Sequence, residues 1–99
     1  MNEVLEKFGN RAVKRGGLFL FSDKDALAVI DGARQAKMQI LGIDGIFLEG
    51  EATRPSLDDS VDFTLRGNTP ADVYRASTDF IKRHANLNLF FEIVFGVSG

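Results

Sequence analysis

The run between residues 39 and 49 restricts the fold most, because it is apolar on both faces of an extended chain. From Ile40 to Leu48 the residues are Ile, Leu, Phe and Gly, with Asp44 as the one charge. Such a run is typical of a strand inside a sheet. Either Asp44-Gly45 forms a type I′ turn between two short strands, or one long central strand passes through Asp44. We favour the long strand, followed by a turn over residues 49–55, which are rich in Gly, polar residues and Pro.

Hydrophobic periodicity and capping residues predict the remaining elements. The first helix is expected to end at Gly16-Gly17, while Ser22 and Thr69 are expected to be the N-caps of the second and third. The predicted elements are a helix over 2–15, a strand over 18–21, a helix over 22–37, strands over 39–49 and 57–66, a helix over 69–86 and a strand over 89–95.

The order α-β-α-β-β-α-β predicts an α+β fold with one four-stranded mixed sheet packed by three helices. The middle strands are expected to form a hairpin, and the two strand–helix–strand connections to be right-handed crossovers. With 99 residues, the chain is expected to be a single compact domain over 1–99, since smaller pieces could not bury a core.

Composition excludes several classes of protein. The chain has no Cys, which excludes a disulfide scaffold and every Cys-ligated metal site. The N-terminus carries acidic residues early, unlike a signal peptide, and no apolar run approaches the ~20 residues that span a bilayer. We therefore expect a cytoplasmic protein with no membrane partner.

Charge is concentrated in residues 44–62, the acidic segment, within a chain of net charge −2. The segment holds six carboxylates and one cation, Arg54, whereas residues 1–16 have a net charge of +2 and residues 63–99 of +1. A nucleic-acid binder needs a positive footprint to release phosphate counterions. The distribution therefore argues against nucleic acid as a partner.

No residue pattern predicts catalysis, a cofactor or a metal site. His84, the one His, lies near the end of the third helix, where a surface or capping role is routine. A Ser-His-Asp triad from Ser56 or Ser60 lacks a nucleophile elbow. The ten glycines include no phosphate-binding loop. We expect a protein that is not an enzyme.

Asp44 is the exception inside an apolar run, because a buried carboxylate without a partner is costly. Three fates are open: it is wetted at a sheet edge, it pairs with Arg34 or Arg66, or it is functional. In the functional case, Asp62 or Glu92 on a neighbouring strand could complete a carboxylate pair for acid–base chemistry.

The other carboxylates of the acidic segment also have two interpretations. Glu49 to Asp59 are expected in a hairpin loop and Asp62 on a wet strand face. Such charges keep an edge strand from pairing with other chains, or they form a negative surface that steers a basic protein partner. The candidate partner-binding residues are Glu49, Glu51, Asp58, Asp59 and Asp62.

The sequence over residues 40–48, 55–57, 60–64 and 91–94 resembles small bacterial immunity proteins of polymorphic toxin systems, most closely immunity family forty. The resemblance covers roughly residues 17–95. It implies a compact α+β inhibitor that binds a cognate toxin protein in the cytoplasm. Two alternatives remain: a small ligand-binding or enzymatic domain that uses Asp44, Asp62 and Glu92, and a homodimeric interaction module that pairs through an edge strand.

Overall fold

The computed structural model describes residues 3–64, 69–86 and 88–96. Its helices are α1 (Glu3–Phe8), α2 (Asp23–Ala36) and α3 (Pro70–His84), with a single 3₁₀ turn at Gly9–Arg11. Its strands are β1 (Val13–Arg15), β2 (Leu18–Leu20), β3 (Ile40–Glu49), β4 (Ala52–Asp62) and β5 (Leu89–Phe95).

The long apolar run forms the central strand of a three-stranded sheet with the order β4-β3-β5. β3 passes through Asp44 without a turn and pairs antiparallel with both neighbours. The prediction of one long strand is confirmed, and the alternative turn at Asp44-Gly45 is wrong. The hairpin turn lies between Glu49 and Ala52, where Gly50 has a φ of +63° that glycine adopts at little cost.

The predicted four-stranded mixed sheet is wrong, because β2 pairs with β1 in a separate two-stranded sheet. Residues 13–15, assigned to the first helix by their periodicity, form β1 instead. Gly16 and Gly17 have φ values of +53° and +86°. Positive φ at both central residues matches a type I′ turn, whose twist suits an antiparallel hairpin. The two glycines therefore close a hairpin, and α1 ends at Phe8.

The hairpin joins the larger sheet at one point, an isolated antiparallel bridge between Phe21 and Phe91. The amide of Phe21 donates to the Phe91 carbonyl at 2.9 Å, and the amide of Phe91 donates back at 2.8 Å. β5 therefore lies between β2 and β3. The connection from β4 through α3 to β5 also passes β3, so β4 and β5 are not neighbours in the sheet. All strand pairs within the described residues are antiparallel, which is why the sheet is not mixed.

The helix starts follow the predicted capping. The Ser22 hydroxyl accepts from the amide of Asp25 at 3.3 Å, and the Thr69 hydroxyl accepts from the amide of Asp72 at 3.2 Å. Pro70 occupies the first turn of α3, where its missing N–H is not needed. These polar side chains satisfy amides that a helix start leaves without partners.

The helices pack on one face of the sheet around a shared hydrophobic core. Their buried apolar side chains are Val4, Ala26, Val29, Ile30, Ala33, Val73, Phe80 and Ile81, and all belong to one cluster with Ile43, Phe91 and Ile93. A Cβ at Gly32 would lie 2.8 Å from Phe8, so this glycine permits the close approach of α1 to α2. None of the described helices is long and apolar enough to cross a membrane.

Candidate functional site

The pairing of β3 with β4 is interrupted opposite Asp44. Gly45 pairs with Ser56 and Ile43 pairs with Val61, so one residue of β3 faces four residues of β4. A simple β-bulge places two residues opposite one, and this irregularity is therefore unusually large. We call these four residues, 57–60, the acidic bulge, because they include Asp58 and Asp59.

Two serines hold the backbone of the acidic bulge in place. The Ser60 hydroxyl donates to the Ser56 carbonyl at 2.7 Å and accepts from the amide of Gly45 at 3.2 Å. The Ser56 hydroxyl donates to Oδ2 of Asp59 at 2.8 Å. A Cβ at Gly45 would lie 2.3 Å from the Asp59 carbonyl oxygen, so the bulge packs directly on this glycine.

His84 ties the acidic bulge to the end of α3. Its Nδ1 lies 2.8 Å from Oδ1 of Asp59, and its ring stacks on Phe80 with centroids 4.3 Å apart. The hydrogen bond from His84, followed by the one from Ser56, lowers the pKa of Asp59 below its ordinary value. His84 was expected at the surface or as a cap, whereas it anchors this bulge.

Leu57 and Asp58 form the outward side of the acidic bulge. Leu57 is 91% exposed, and Asp58 is exposed without an ion pair to any described residue. A single exposed leucine is ordinary on a protein surface. Leu57 differs because it lies on a bulge in which Ser60 is hydrogen-bonded to β3 and Asp59 to α3. The arrangement presents an apolar side chain beside a free carboxylate.

The remaining predicted binding residues lie elsewhere and are partly engaged within the chain. Glu49 accepts from Nε of Arg54 at 2.6 Å. Asp62 accepts from the amide and hydroxyl of Thr64, and these bonds lower its pKa. Glu51 is exposed in the hairpin turn.

The predicted acidic residues do not form one patch, because β4 is already extended from Ala52. The four steps from Ala52 to Ser56, which pair in regular register with β3, span about 13 Å at the rise of a strand and separate the turn from the acidic bulge. The expectation that Glu49 to Asp59 form one hairpin loop is therefore wrong. The structure brings Asp58 and Asp59 together, and separates them from Glu49 and Glu51.

Asp44 lies directly opposite Glu92 on β5. Burial, and then the negative charge of Asp44, raise the pKa of Glu92. Of the two predicted cations, Arg34 binds Asp31 at 2.6 Å and not Asp44, and Arg66 lies outside the described residues. Of the two carboxylate pairs considered from the sequence, Asp44 with Glu92 is therefore brought together on neighbouring strands.

Asp62 does not join this pair, because it is registered with Gly42 on β3. A cavity of about 650 Å³ lies on another part of the molecule, lined by residues that include Phe63, Val73 and Tyr74 and by none of the three carboxylates. The predicted cleft with Asp44, Asp62 and Glu92 in its walls is not formed by the described residues.

The sequence contains one signal for the bulge that periodicity did not resolve. Leu57, Val61 and Phe63 suggest a strand with alternating faces, but Asp59 occupies the position where alternation requires an apolar residue.

Comparisons with protein-family models and with curated proteins find no match for this sequence.

Proposed function

We propose that this protein is a non-catalytic immunity protein that binds and neutralises a cognate bacterial toxin in the cytoplasm. The observation that supports this most is the position of Leu57, which is 91% exposed at the side of the acidic bulge. The bulge is anchored to β3 and α3, as expected for a surface that is organised before its partner arrives. The resemblance to immunity proteins over residues 17–95 is the second support.

Leu57 and Asp58 have complementary roles in the proposed interface. Burying a leucine side chain completely contributes about 1.5–3 kcal/mol, enough for one residue to be a binding hot spot. A neighbouring free carboxylate attracts a basic surface and increases the rate of encounter. The proposed partner is therefore a toxin with an apolar pocket in a basic surface.

Anchoring the bulge also favours affinity. A loop that must be ordered on binding loses conformational entropy at that step, whereas an ordered loop does not. The bonds of Asp59 to His84 and Ser56, at 2.8 Å each, provide this order. Asp59 thus contributes by positioning Leu57 and Asp58, while Glu51 supplies a distant charge that steers the toxin.

The test uses the toxin domain encoded beside the gene for this chain, with binding measured by stopped-flow mixing at several salt concentrations. Asp58→Lys is expected to reduce the association rate several-fold and to weaken its salt dependence. The matched control is Glu6→Lys, which reverses an exposed charge on α1. If both variants associate at the wild-type rate, or if the neighbouring gene encodes no toxin domain, the proposal fails.

A further inference from the structure

A cavity of about 650 Å³ lies where α2, β3 and α3 come together, next to the end of β4. Small-molecule sites in proteins have volumes of about 300–1,000 Å³, so this cavity is large enough to hold a ligand. Its described lining residues come from the C-cap of α2, the start of β3, the two positions after β4 and the first turns of α3. None of them belongs to the acidic bulge, so the cavity is separate from the proposed toxin interface.

The inner wall of the cavity is part of the hydrophobic core. Ile40 and Val73 line it and are 2% and 9% exposed. Leu41, Phe63 and Tyr74 also line it and are half-buried, and the two aromatic side chains pack against the core cluster. Aromatic rings pack favourably on one another in offset or edge-to-face arrangements. The interior therefore suits a flat apolar group.

Hydrogen bonds between the surrounding elements hold the walls of the cavity in place. The amide of Phe63 donates to the Leu41 carbonyl at 2.8 Å, which ties the end of β4 to β3. The Tyr74 hydroxyl donates to the Met38 carbonyl at 2.6 Å, which ties α3 to the chain between α2 and β3. A ligand that enters a preformed site does not have to order it, so less conformational entropy is lost on binding.

Lys37 places a positive charge at the rim of the cavity. It is exposed, it is the one charged residue among the described lining residues, and it takes part in none of the five ion pairs between described residues. Asp62, two positions before the lining residue Thr64, does not line the cavity, and its carboxylate accepts from the amide and hydroxyl of Thr64. The carboxylate of a ligand would therefore meet an ammonium group at the rim and no described lining acid.

We propose that the cavity binds a small aromatic carboxylate. The ring of this ligand lies between Phe63 and Tyr74, and its carboxylate pairs with Lys37 at the rim. A protein partner fits the cavity less well, because a stable protein interface buries about 1,000 Å² or more around an apolar centre. The large apolar side chain that the described residues expose is Leu57, which lies on the acidic bulge and does not line the cavity.

The experiment titrates the full-length, ¹⁵N-labelled protein with sodium 2-naphthoate and follows the amide signals by two-dimensional NMR. The control ligand is 2-naphthamide, which keeps the shape of the acid and removes its charge. We expect amide shifts centred on Leu41 and Val73, nuclear Overhauser contacts from the naphthyl protons to the Val73 methyl groups, and at least fivefold weaker binding of the amide. Lys37→Gln is expected to remove this difference, whereas Lys82→Gln, at an exposed site on α3 outside the cavity, is expected to retain it.

Three outcomes would overturn the proposal: no shifts at the cavity, equal binding of the acid and the amide, or a Lys37→Gln protein that still prefers the acid. Leu57→Ala separates this proposal from the proposed function, because it alters the acidic bulge and is expected to leave naphthoate binding unchanged. The NMR spectrum of each variant also reports whether it is folded.

Discussion

The imidazole Nδ1 of His84 lies 2.8 Å from Oδ1 of Asp59, and this contact joins the end of α3 to a bulge in β4. The two residues are 25 positions apart in the sequence. The same imidazole stacks on Phe80, a residue of the hydrophobic core. The conformation of the acidic bulge is therefore coupled to the packing of α3 on the sheet.

Removal of the imidazole tests this coupling. His84→Ala is expected to lower the free energy of unfolding by about 1–2 kcal/mol, because it leaves the carboxylate of Asp59 with one fewer hydrogen bond and exposes Phe80. Urea denaturation measures the change, and amide exchange at Gly45 is expected to accelerate as Ser60 loses its fixed position. Lys82→Ala, at an exposed site on the same helix, is the control. Equal stability of the two variants would show that the contact has no structural role.

The close packing of the acidic bulge on β3 gives a second prediction. Gly45→Ala places a Cβ 2.3 Å from the Asp59 carbonyl oxygen, a distance that requires the backbone to shift. We expect a loss of about 1–3 kcal/mol in the free energy of unfolding. Gly9→Ala is the matched control, since its Cβ would meet Phe19 at an ordinary 3.7 Å. Thermal denaturation of both variants compares them, and a Gly45→Ala protein as stable as the control would contradict the described bulge.

The facing carboxylates of Asp44 on β3 and Glu92 on β5 predict a variant more stable than the wild type. Glu92→Gln is expected to increase the free energy of unfolding by about 0.2–1 kcal/mol at neutral pH, because it removes a half-buried charge opposite Asp44. The pKa of Glu92 is raised in the folded protein, so the folded state binds its proton more tightly than the unfolded state.

The direction of the pH dependence follows from this raised pKa. Ionised Glu92 lowers the free energy of unfolding, and this loss is complete at pH values above the folded-state pKa. The loss disappears as the pH falls from the folded-state pKa to the ordinary pKa of 4.5, because Glu92 becomes protonated in the folded protein. The advantage of Glu92→Gln is therefore expected to shrink over that range. Urea midpoints at a series of pH values measure it, with the exposed Glu6→Gln as control. An advantage that is absent at neutral pH, or that grows on acidification, would refute this explanation.

Local sequence signals predicted the parts of the fold that depend on neighbouring residues. Ser22 and Thr69 cap their helices as expected, because capping bonds join residues three positions apart. The unbroken strand through Asp44 follows from a long apolar run. Gly32 is a further local signal, because a glycine inside a helical pattern is costly unless a neighbour comes close, and a Cβ there would lie 2.8 Å from Phe8.

The errors concern which segments pair, and this is not specified by the periodicity of a single segment. Val13 to Arg15 continue a helical pattern, yet their pairing with Leu18 to Leu20 is more stable once Gly16-Gly17 can turn the chain. The order of strands depends on which edges meet, and the bridge from Phe21 to Phe91 places β5 where the sequence could not assign it. The acidic bulge depends on His84, whose partner no local pattern identifies.

The central claim is that Leu57 binds a toxin, and calorimetric titration of Leu57→Ala with the toxin domain tests it most directly. We predict at least a tenfold loss of affinity, which is about 1.4 kcal/mol, with the free energy of unfolding unchanged because the side chain is 91% exposed. Leu57→Met, which retains an apolar side chain of similar volume, is expected to bind within a few-fold of wild type. Wild-type affinity in Leu57→Ala would contradict the account.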